Sequence, residues 1–407
     1  MGFGSGLGFV QLRTLQLEHL WVRAETVGVT IRIANAAGCD PAATWHAATA
    51  ADAEADQEAV VTIAPRVALS SARRVSPHTQ LMGAVSSAAF YAPVEAELKE
   101  LERRLLAVGR GGHPTFQAAV EHVFQTPGKL LRPTLVFLSA RFGTRDDRET
   151  VLNLAQSLEL VHTASLVHDD IVDRADVRRN IPTVNAMWDG DVALIVGDYL
   201  FAKAYALAAV LPKPEVIAIV AQTVFALCDG ELNEVTSPPT MPTEAEYLER
   251  IELKTASLYA ACCQGAALLT EADPEHVAAL GAFGTNLGLA FQMTDDILDL
   301  VGDEAEFGKA VGRDLEEGMA TLPMIYAAAE SGGQDGELAR RIVAPGKSRD
   351  EVVELLRIIR ASSGPERARV RAIAFHDAAL RALDGLPARG EREALRDVAD
   401  FVVSRVR

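Results

Sequence analysis

The sequence predicts an all-α domain of about 320 residues, and three observations support this prediction. Ala, Leu and Val are abundant while aromatic residues make up only 6% of the chain, a balance that suits packed helices better than sheets. From Pro93 onward, apolar residues recur at three- and four-residue spacing, and alternating runs of strand length are scarce. Turn-forming pairs separate the helical runs, as at Gly111-Gly112, Pro238-Pro239 and Gly332-Gly333.

The first 80 residues differ from this pattern, and we expect a poorly ordered N-terminal extension over 1–80 ahead of a helical domain over 81–407. The stretch ANAAGCDPAATWHAATAADAEADQEA (34–59) is rich in Ala, Asp and Thr and lacks a sustained amphipathic period. Residues 63–80 are basic and rich in turn-forming residues. A translation start near Met82 is an alternative that the sequence leaves open.

Charge and composition indicate which binding partners and which cellular location to expect for the chain. A net charge of −17 repels nucleic acid, so no nucleic-acid partner is expected. The apolar run 192–212 is interrupted by Asp198 and Lys203, which favours a helix buried in protein over a membrane span. No signal peptide is evident, and the four cysteines show no CxxC spacing, so we expect reduced thiols in a cytoplasmic protein.

An acidic cluster in LVHDDIVDRADVRR (166–179) is the first sign of a functional site. Asp169 and Asp173 lie four residues apart and would share one face of a helix, while Asp170 would point about 100° away. Such carboxylates repel one another, yet together they can bind Mg²⁺ that also contacts a phosphate ligand. For one cluster alone, a solvated acidic helix face is the alternative interpretation.

A second cluster with the same spacing, in FQMTDDILDL (291–300), makes a solvated face a poor explanation. It contains Asp295, Asp296 and Asp299, and apolar residues surround both clusters. Buried carboxylates are costly unless they are paired or bind metal. A di-iron carboxylate bundle would need a Glu-x-x-His on each of two helices, and the chain offers one, Glu159 to His162. The two clusters therefore indicate a site where divalent ions bind phosphate groups.

Basic residues lie near both clusters in the sequence. Arg binds phosphate through two parallel hydrogen bonds, and Lys contributes a point charge. Each basic residue taken singly is typical of a charged surface, but together with the acidic clusters they indicate a site for two polyphosphates. They are Lys129, Arg132, Arg178, Arg179, Lys254 (followed by Thr255) and Lys309.

These motifs together resemble the trans-isoprenyl diphosphate synthase (polyprenyl synthetase) family over about residues 84–400. DDIVD (169–173) and DDILD (295–299) resemble its two aspartate-rich motifs. GKLLRP (128–133) resembles its GGKRxRP, and GKAVGRDLEEGMATLP (308–323) resembles its GKxxGxDxxEGKxTLP. LVHTASLVHDD (160–170) resembles the helix with its substrate-binding histidine, and FQMTDD the stretch with its glutamine. The resemblance implies an isoprenoid-synthase-type helical bundle around a central cavity.

The resemblance also implies a reaction, the head-to-tail condensation of isopentenyl diphosphate onto an allylic diphosphate, with Mg²⁺ or alternatively Mn²⁺ as cofactor. Both aspartate clusters and Lys254 would be catalytic, and the metal ligands would include Asp169, Asp173 and Asp295. The allylic diphosphate would bind to Arg178, Lys254, Thr255, Gln292 and Lys309. Isopentenyl diphosphate would bind to Lys129, Arg132, His162 and Arg179. The released diphosphate would take the final proton, so no protein nucleophile is needed.

Three positions depart from the family pattern. Leu130 stands where Arg is frequent, Met319 where Lys is usual and Arg313 where Asn is common. The change at 319 would remove one contact to the allylic diphosphate and reduce affinity or rate, while Arg313 would compensate in part. Both aspartate clusters are complete, so we expect an active chain.

The product length is expected to depend on Ala164 and Ser165, which lie one turn before Asp169. They are small where family members with short products commonly carry Phe or Tyr. We therefore expect an open tunnel that admits a product longer than C20, about C30–C50, with geranylgeranyl diphosphate as the alternative. The small residues could also serve helix packing alone.

Two other function classes remain open from the sequence. A class I terpene cyclase would carry a different second metal motif and would need no isopentenyl diphosphate site. The other class is a non-catalytic subunit of a heteromeric prenyl synthase, which the departure from the family pattern at Met319 suggests. The family resemblance implies a homodimer. Because the product dissolves in membranes, transient peripheral contact with a bilayer at product release is expected.

Overall fold

A computed structural model of the chain describes residues 20–23, 30–33, 88–125, 128–179, 181–302 and 311–405. It divides into two units, 1–78 and 79–407. In the first unit, β1 (Leu20–Arg23) pairs antiparallel with β2 (Thr30–Ile33), with Leu20 opposite Ile33. These strands are the described part of the expected N-terminal extension, so its poor order stays a prediction. Lys309 lies outside the described residues.

The predicted all-α class is confirmed in the second unit, where the described elements are helices apart from one very small hairpin. Short 3₁₀-helices occupy Ala89–Val94 and Leu383–Gly385, and a π-helical turn occupies Glu252–Ala256. The hairpin consists of β3 (Val177–Arg178) and β4 (Ile181–Pro182). The α-helices are α1 (Glu95–Leu105), α2 (Pro114–Val123), α3 (Leu131–Ala140), α4 (Arg148–Val172), α5 (Val184–Met187), α6 (Gly190–Ala209), α7 (Pro214–Thr236), α8 (Glu244–Ile251), α9 (Ser257–Leu269), α10 (Pro274–Val301), α11 (Arg313–Glu317), α12 (Leu322–Glu330), α13 (Glu337–Val343), α14 (Arg349–Ala361), α15 (Gly364–Ala382) and α16 (Gly390–Ser404).

Helix α4 carries the first acidic cluster at its C-terminal end. The Asp147 carboxylate caps its N-terminus by accepting a hydrogen bond from the Thr150 N–H (3.1 Å). Along its length α4 packs closely on α6, because Gly197 leaves room for the His168 ring: a Cβ at 197 would lie 2.1 Å from His168 Nε2. Ser157 donates to the Ala204 carbonyl (2.8 Å) on the same face. The close contact fixes the direction in which the C-terminal turns of α4 point.

Helix α10 carries the second acidic cluster and runs against α9 and the π-helical turn. Gly284 and Gly288 make this approach possible, because a Cβ at 284 would lie 2.6 Å from the Tyr259 carbonyl oxygen and one at 288 would lie 2.5 Å from the Ala256 Cα. Gln292 lies one turn beyond Gly288 and reaches Thr255 across this contact. The glycines therefore bring the second acidic cluster beside the π-helical turn.

Helix α6 is apolar, and among the described helices it is the one long and apolar enough to cross a bilayer by length and composition. One such helix is weak evidence for a span, because core helices pass the same test. About a third (33%) of its most apolar window is buried. Leu194 and Ile195 on α6 are 49% and 61% exposed. Much of the apolar surface of α6 is thus left uncovered in a single chain.

Candidate active site

The first acidic cluster divides between two directions. Asp169 and Asp173 line an open cavity, as their four-residue spacing predicts. Asp170 is buried and accepts a hydrogen bond from Arg178 Nε (2.7 Å), so it holds the β3–β4 hairpin at the end of α4. The hairpin turn places Arg179 in the left-handed region (φ 51°). Arg178 and Arg179 both line the same cavity as the two aspartates.

The second cluster divides differently from the first, because two adjacent aspartates line the cavity rather than the pair four residues apart. Asp295 and Asp296 line the cavity. Asp296 is buried and accepts hydrogen bonds from Tyr247 Oη (2.6 Å) and Gln292 Nε2 (2.8 Å). Asp299 instead accepts from the backbone N–H groups of Arg313 (3.3 Å) and Asp314 (3.2 Å). Asp299 therefore anchors the first residues of α11, while Asp295 and Asp296 line the cavity.

The cavity lies between α4 and α10 and contains about 1430 Å³ of space, including solvent at its mouth. Its polar lining comes from both acidic clusters and from most of the predicted cations. Its apolar wall includes Leu166, Leu227, Leu258 and Phe291, with Ser165 beside them. Ala164 is fully buried and shares the α4 face of Ser157 and His168 that packs on α6. Ser165 is thus the member of the predicted pair that faces the cavity.

Burial makes these carboxylates difficult to ionise together. It raises the pKa of Asp169 to about 7, and the nearby Glu231 adds to the effect. Burial also raises the pKa values of Asp173, Asp295 and Asp296 above the usual range for aspartate. Carboxylates crowded in a partly desolvated cavity favour a site that receives cations.

Lys254, on the π-helical turn, lies on the same side of the cavity as the acidic clusters. Its ammonium contacts Glu231 (2.7 Å) and Glu234 (2.8 Å). Burial alone would lower the pKa of Lys254, but the two glutamates outweigh it and raise the pKa, so the side chain is charged. Thr255 donates to Gln292 Oε1 (2.8 Å), which links the turn to Asp296 through Gln292.

The predicted isopentenyl diphosphate residues form a second group of cations. Arg132 and His162 line the cavity, with Arg132 Nη1 3.0 Å from His162 Nε2. Burial, assisted by neighbouring arginines, holds the pKa of His162 well below its usual range, so the imidazole is neutral and accepts this hydrogen bond. The Arg132 guanidinium stacks 4.8 Å from the centre of the Tyr259 ring. Lys129 is not among the described residues that line the cavity, and its Nζ lies 5.1 Å from the centre of the Phe401 ring.

Several residues of the site were not predicted from the sequence. Arg405, just after α16, pairs with Asp295 (2.8 Å) across 110 positions of sequence, and no local pattern indicates this contact. Tyr247, Arg250, Glu234 and Asp314 also contribute, and the last three line the cavity. A signal existed for Asp314, which is the aspartate of the GKxxGxDxxEGKxTLP pattern in residues 308–323. The glutamates around Lys254 carry no motif of their own.

The donor set of the cavity suits a divalent ion that shares its ligands with a substrate. Among the described residues, no group of three or more His, Cys, Asp or Glu side chains converges closely enough to hold a metal ion by itself. Asp169 and Asp173 on one side and Asp295 on the other offer hard oxygen ligands around open space. Mg²⁺ commonly takes one or two carboxylates and completes its shell with water and phosphate oxygens, so these residues fit it.

Comparisons with known proteins agree with this geometry. The polyprenyl synthetase family model matches residues 113–359. Heptaprenyl diphosphate synthase component 2 of Geobacillus stearothermophilus is 38% identical over 320 residues, which cover 78% of this chain and 98% of that protein. The crystal structure of a decaprenyl diphosphate synthase from Rhodobacter capsulatus has a TM-score of 0.73 at 32% identity, covering 78% of this chain and 98% of that one.

A second solved structure is a polyprenyl synthase from Caulobacter crescentus, complexed with calcium and isoprenyl diphosphate. Its TM-score is 0.73 at 33% identity, covering 77% of this chain and 96% of that chain. The family match spans more than half of the sequence, and it includes both aspartate clusters. The resemblance inferred from the motifs is confirmed. The chain belongs to the polyprenyl synthetase family of prenyltransferases.

Proposed function

We propose that this chain is a trans-polyprenyl diphosphate synthase that condenses isopentenyl diphosphate head to tail onto an allylic diphosphate, with Mg²⁺ as cofactor and Mn²⁺ as an alternative. The observation that carries the proposal is that two pairs of aspartates from α4 and α10 line one cavity together with Arg132, Arg178, Arg179 and Lys254. Two diphosphates need this combination of metal ligands and fixed cations.

The allylic diphosphate would bind between the two acidic clusters. Asp169, Asp173 and Asp295 would hold divalent ions there, and bound ions would neutralise charge that develops on the departing diphosphate. Lys254 contributes a charge that two glutamates hold in place. Two successive hydrogen bonds, from Thr255 to Gln292 and from Gln292 to Asp296, orient the Asp296 carboxylate. Because these groups are positioned before the substrate arrives, little reorganisation is needed in the reaction.

Isopentenyl diphosphate would bind on the Arg132 side of the cavity. Arg132, Arg179 and Lys129 supply positive charge, and the neutral His162 orients the Arg132 fork through its 3.0 Å contact. The isopentenyl double bond would attack the allylic carbon as its bond to diphosphate breaks, and the released diphosphate would take the proton that the new product loses. No protein nucleophile takes part, so the protein acts by positioning and by electrostatic stabilisation.

The proposed product is longer than C20, about C30–C50, because the small Ser165 faces the cavity one turn before Asp169 and the apolar wall of the cavity offers room for a growing chain. Two relatives in the comparison are named for heptaprenyl and decaprenyl products. Geranylgeranyl diphosphate is the alternative product.

A second candidate function is a subunit of a heteromeric synthase, since the Geobacillus relative is named a component 2. The complete aspartate clusters favour a catalytic role for this chain in that case too. An assay of the purified chain alone with an allylic diphosphate and isopentenyl diphosphate separates the two. Elongated product from the single chain supports the first candidate, and product that requires a second protein supports the other.

The proposed homodimer rests on an apolar surface of α6 and α7. Leu194 and Ile195 are exposed on α6, and Phe225 and Leu232 are 69% and 60% exposed on α7. Large exposed apolar patches commonly mark protein interfaces.

We also propose a cytoplasmic location with transient bilayer contact at product release. Complete sedimentation of the chain with membranes in cell fractionation would contradict this location.

The first prediction concerns the two clusters. Asp169→Asn and Asp295→Asn should each lower kcat by about a hundredfold or more. Each removes a carboxylate ligand of the divalent ions whose charge would stabilise the transition state. Product formation from labelled isopentenyl diphosphate measures the effect. Asp146→Asn, at an exposed carboxylate before α4, is the matched control and should retain activity. Comparable rates for all three variants would remove the basis of the proposed function.

The second prediction concerns product length. Ser165→Phe should shorten the product because the ring would enter the apolar part of the cavity below Asp169, whereas Ser165→Ala should leave the length unchanged. Chromatographic resolution of the dephosphorylated products measures it. Ala164→Phe is the weaker test, since a ring on the face packed against α6 would overpack that contact. An unchanged product distribution in Ser165→Phe would contradict the assigned tunnel.

The third prediction concerns the dimer. The double variant I195E/F225E should convert a two-chain particle into a single-chain particle, because it places charges in a desolvated apolar interface. Light scattering during size-exclusion chromatography measures the mass. Val353→Glu, on α14 at a residue 53% exposed, is the control. A single-chain mass for the unmodified protein would refute the homodimer.

A further inference from the structure

Arg313 connects the two acidic clusters. It is the first residue of α11, and its backbone N–H donates to Asp299 Oδ1 (3.3 Å). The adjacent Gly312 N–H donates to the Asp299 carbonyl (2.8 Å), so this part of the chain is attached to α10. The Arg313 side chain reaches the other way, with Nη2 3.6 Å from Asp173 Oδ2 at the end of α4. One residue therefore spans the opening between the two clusters.

The contacts of Arg313 differ in strength. Its Nε donates to Glu317 Oε1 at 2.7 Å, a charge-assisted hydrogen bond within α11. The 3.6 Å contact to Asp173 is beyond hydrogen-bond distance and is only a loose ion pair. The side chain is 47% exposed and lines the cavity. The Glu317 contact can therefore hold the guanidinium at the cavity while the Asp173 contact is exchanged for another anion.

Two other cations on this side of the cavity, Lys254 and Arg178, have their carboxylate partners at hydrogen-bond distance. Lys254 contacts two glutamates at 2.7 and 2.8 Å, and Arg178 donates to Asp170 at 2.7 Å. Met319, which lines the cavity together with Arg313 and Glu317, adds no charge. Arg313 differs from these two cations because it combines a firm contact to Glu317 with a loose contact to Asp173, and a ligand can replace the loose contact.

We propose that Arg313 binds the allylic diphosphate, and that in the substrate-free protein it serves as a counter-ion for Asp173. The inference rests on the proposed function. A divalent ion at Asp173 would displace the guanidinium from that carboxylate while Glu317 keeps it at the cavity. There its planar fork can donate two hydrogen bonds to diphosphate oxygens. Arg313 would in this way supply the positive charge that the neighbouring Met319 does not.

The test is titration calorimetry of inorganic diphosphate into the full-length protein with Mg²⁺ present. Arg313→Gln keeps much of the length but loses the charge, and it should weaken diphosphate binding about tenfold or more. Arg313→Lys keeps the charge without the fork and should lie between that variant and the unmodified protein. The matched control is Arg341→Gln, on α13, which removes an ion pair with Glu354 of α14 and should bind diphosphate as the unmodified protein does.

Steady-state kinetics separate substrate binding from a structural role. Arg313→Gln should raise KM for the allylic substrate by about tenfold while leaving KM for isopentenyl diphosphate unchanged. Adding Met319→Lys to Arg313→Gln should restore diphosphate affinity in part, since it returns a positive charge to the same wall. A structural defect would instead raise both KM values and would not be rescued.

Two results would overturn the inference alone. Unchanged diphosphate affinity in Arg313→Gln would show that the guanidinium does not contact the ligand. Tighter binding in that variant would show that Arg313 only competes with the metal for Asp173. If the unmodified protein failed to bind diphosphate with Mg²⁺ at all, the proposed function would fall, and this inference with it.

Discussion

The site depends on one electrostatic constraint: carboxylates from two helices share a partly desolvated cavity. Burial raises the pKa of Asp169 to about 7 and raises the pKa values of Asp173, Asp295 and Asp296. These groups cannot all be charged at low free energy unless cations lie among them. The protein supplies cations only in part, and divalent ions would supply the remaining positive charge and bind a diphosphate through their other coordination positions.

The surrounding fold maintains this constraint through close helix contacts. Gly284 and Gly288 let α10 approach α9 and the π-helical turn, and Gly197 does the same for α4 and α6. The helices can therefore keep the clusters opposed while the carboxylates repel. Arg178 and Arg405 each neutralise one aspartate of a cluster, Asp170 and Asp295. The repulsion among the remaining carboxylates destabilises the fold, and it is retained because those carboxylates serve ligand binding.

Much of this arrangement could be predicted because it follows from local periodicity. The four-residue spacing put Asp169 and Asp173 on one face, and the motifs indicated which cations accompany them. The different direction of Asp170 was predicted as well, but its hydrogen bond from Arg178 was not, because this contact depends on a two-residue hairpin. The orientation of Asp299 could not be predicted, because it depends on the backbone of α11. Arg405 reaches Asp295 from the far end of the chain, and such contacts leave no local pattern. Ala164 and Ser165 looked equivalent in sequence, yet one packs on α6 and the other faces the cavity.

The most direct test of the account measures thermal unfolding with Mg²⁺ alone, inorganic diphosphate alone, and both together. A ligand that binds only the folded state raises stability according to its concentration and affinity. Because the carboxylates repel diphosphate until an ion lies between them, the two ligands together should raise Tm by more than the sum of their separate effects. A rise with diphosphate that is the same in the presence of a chelator would contradict the claim that the aspartates act through a shared cation.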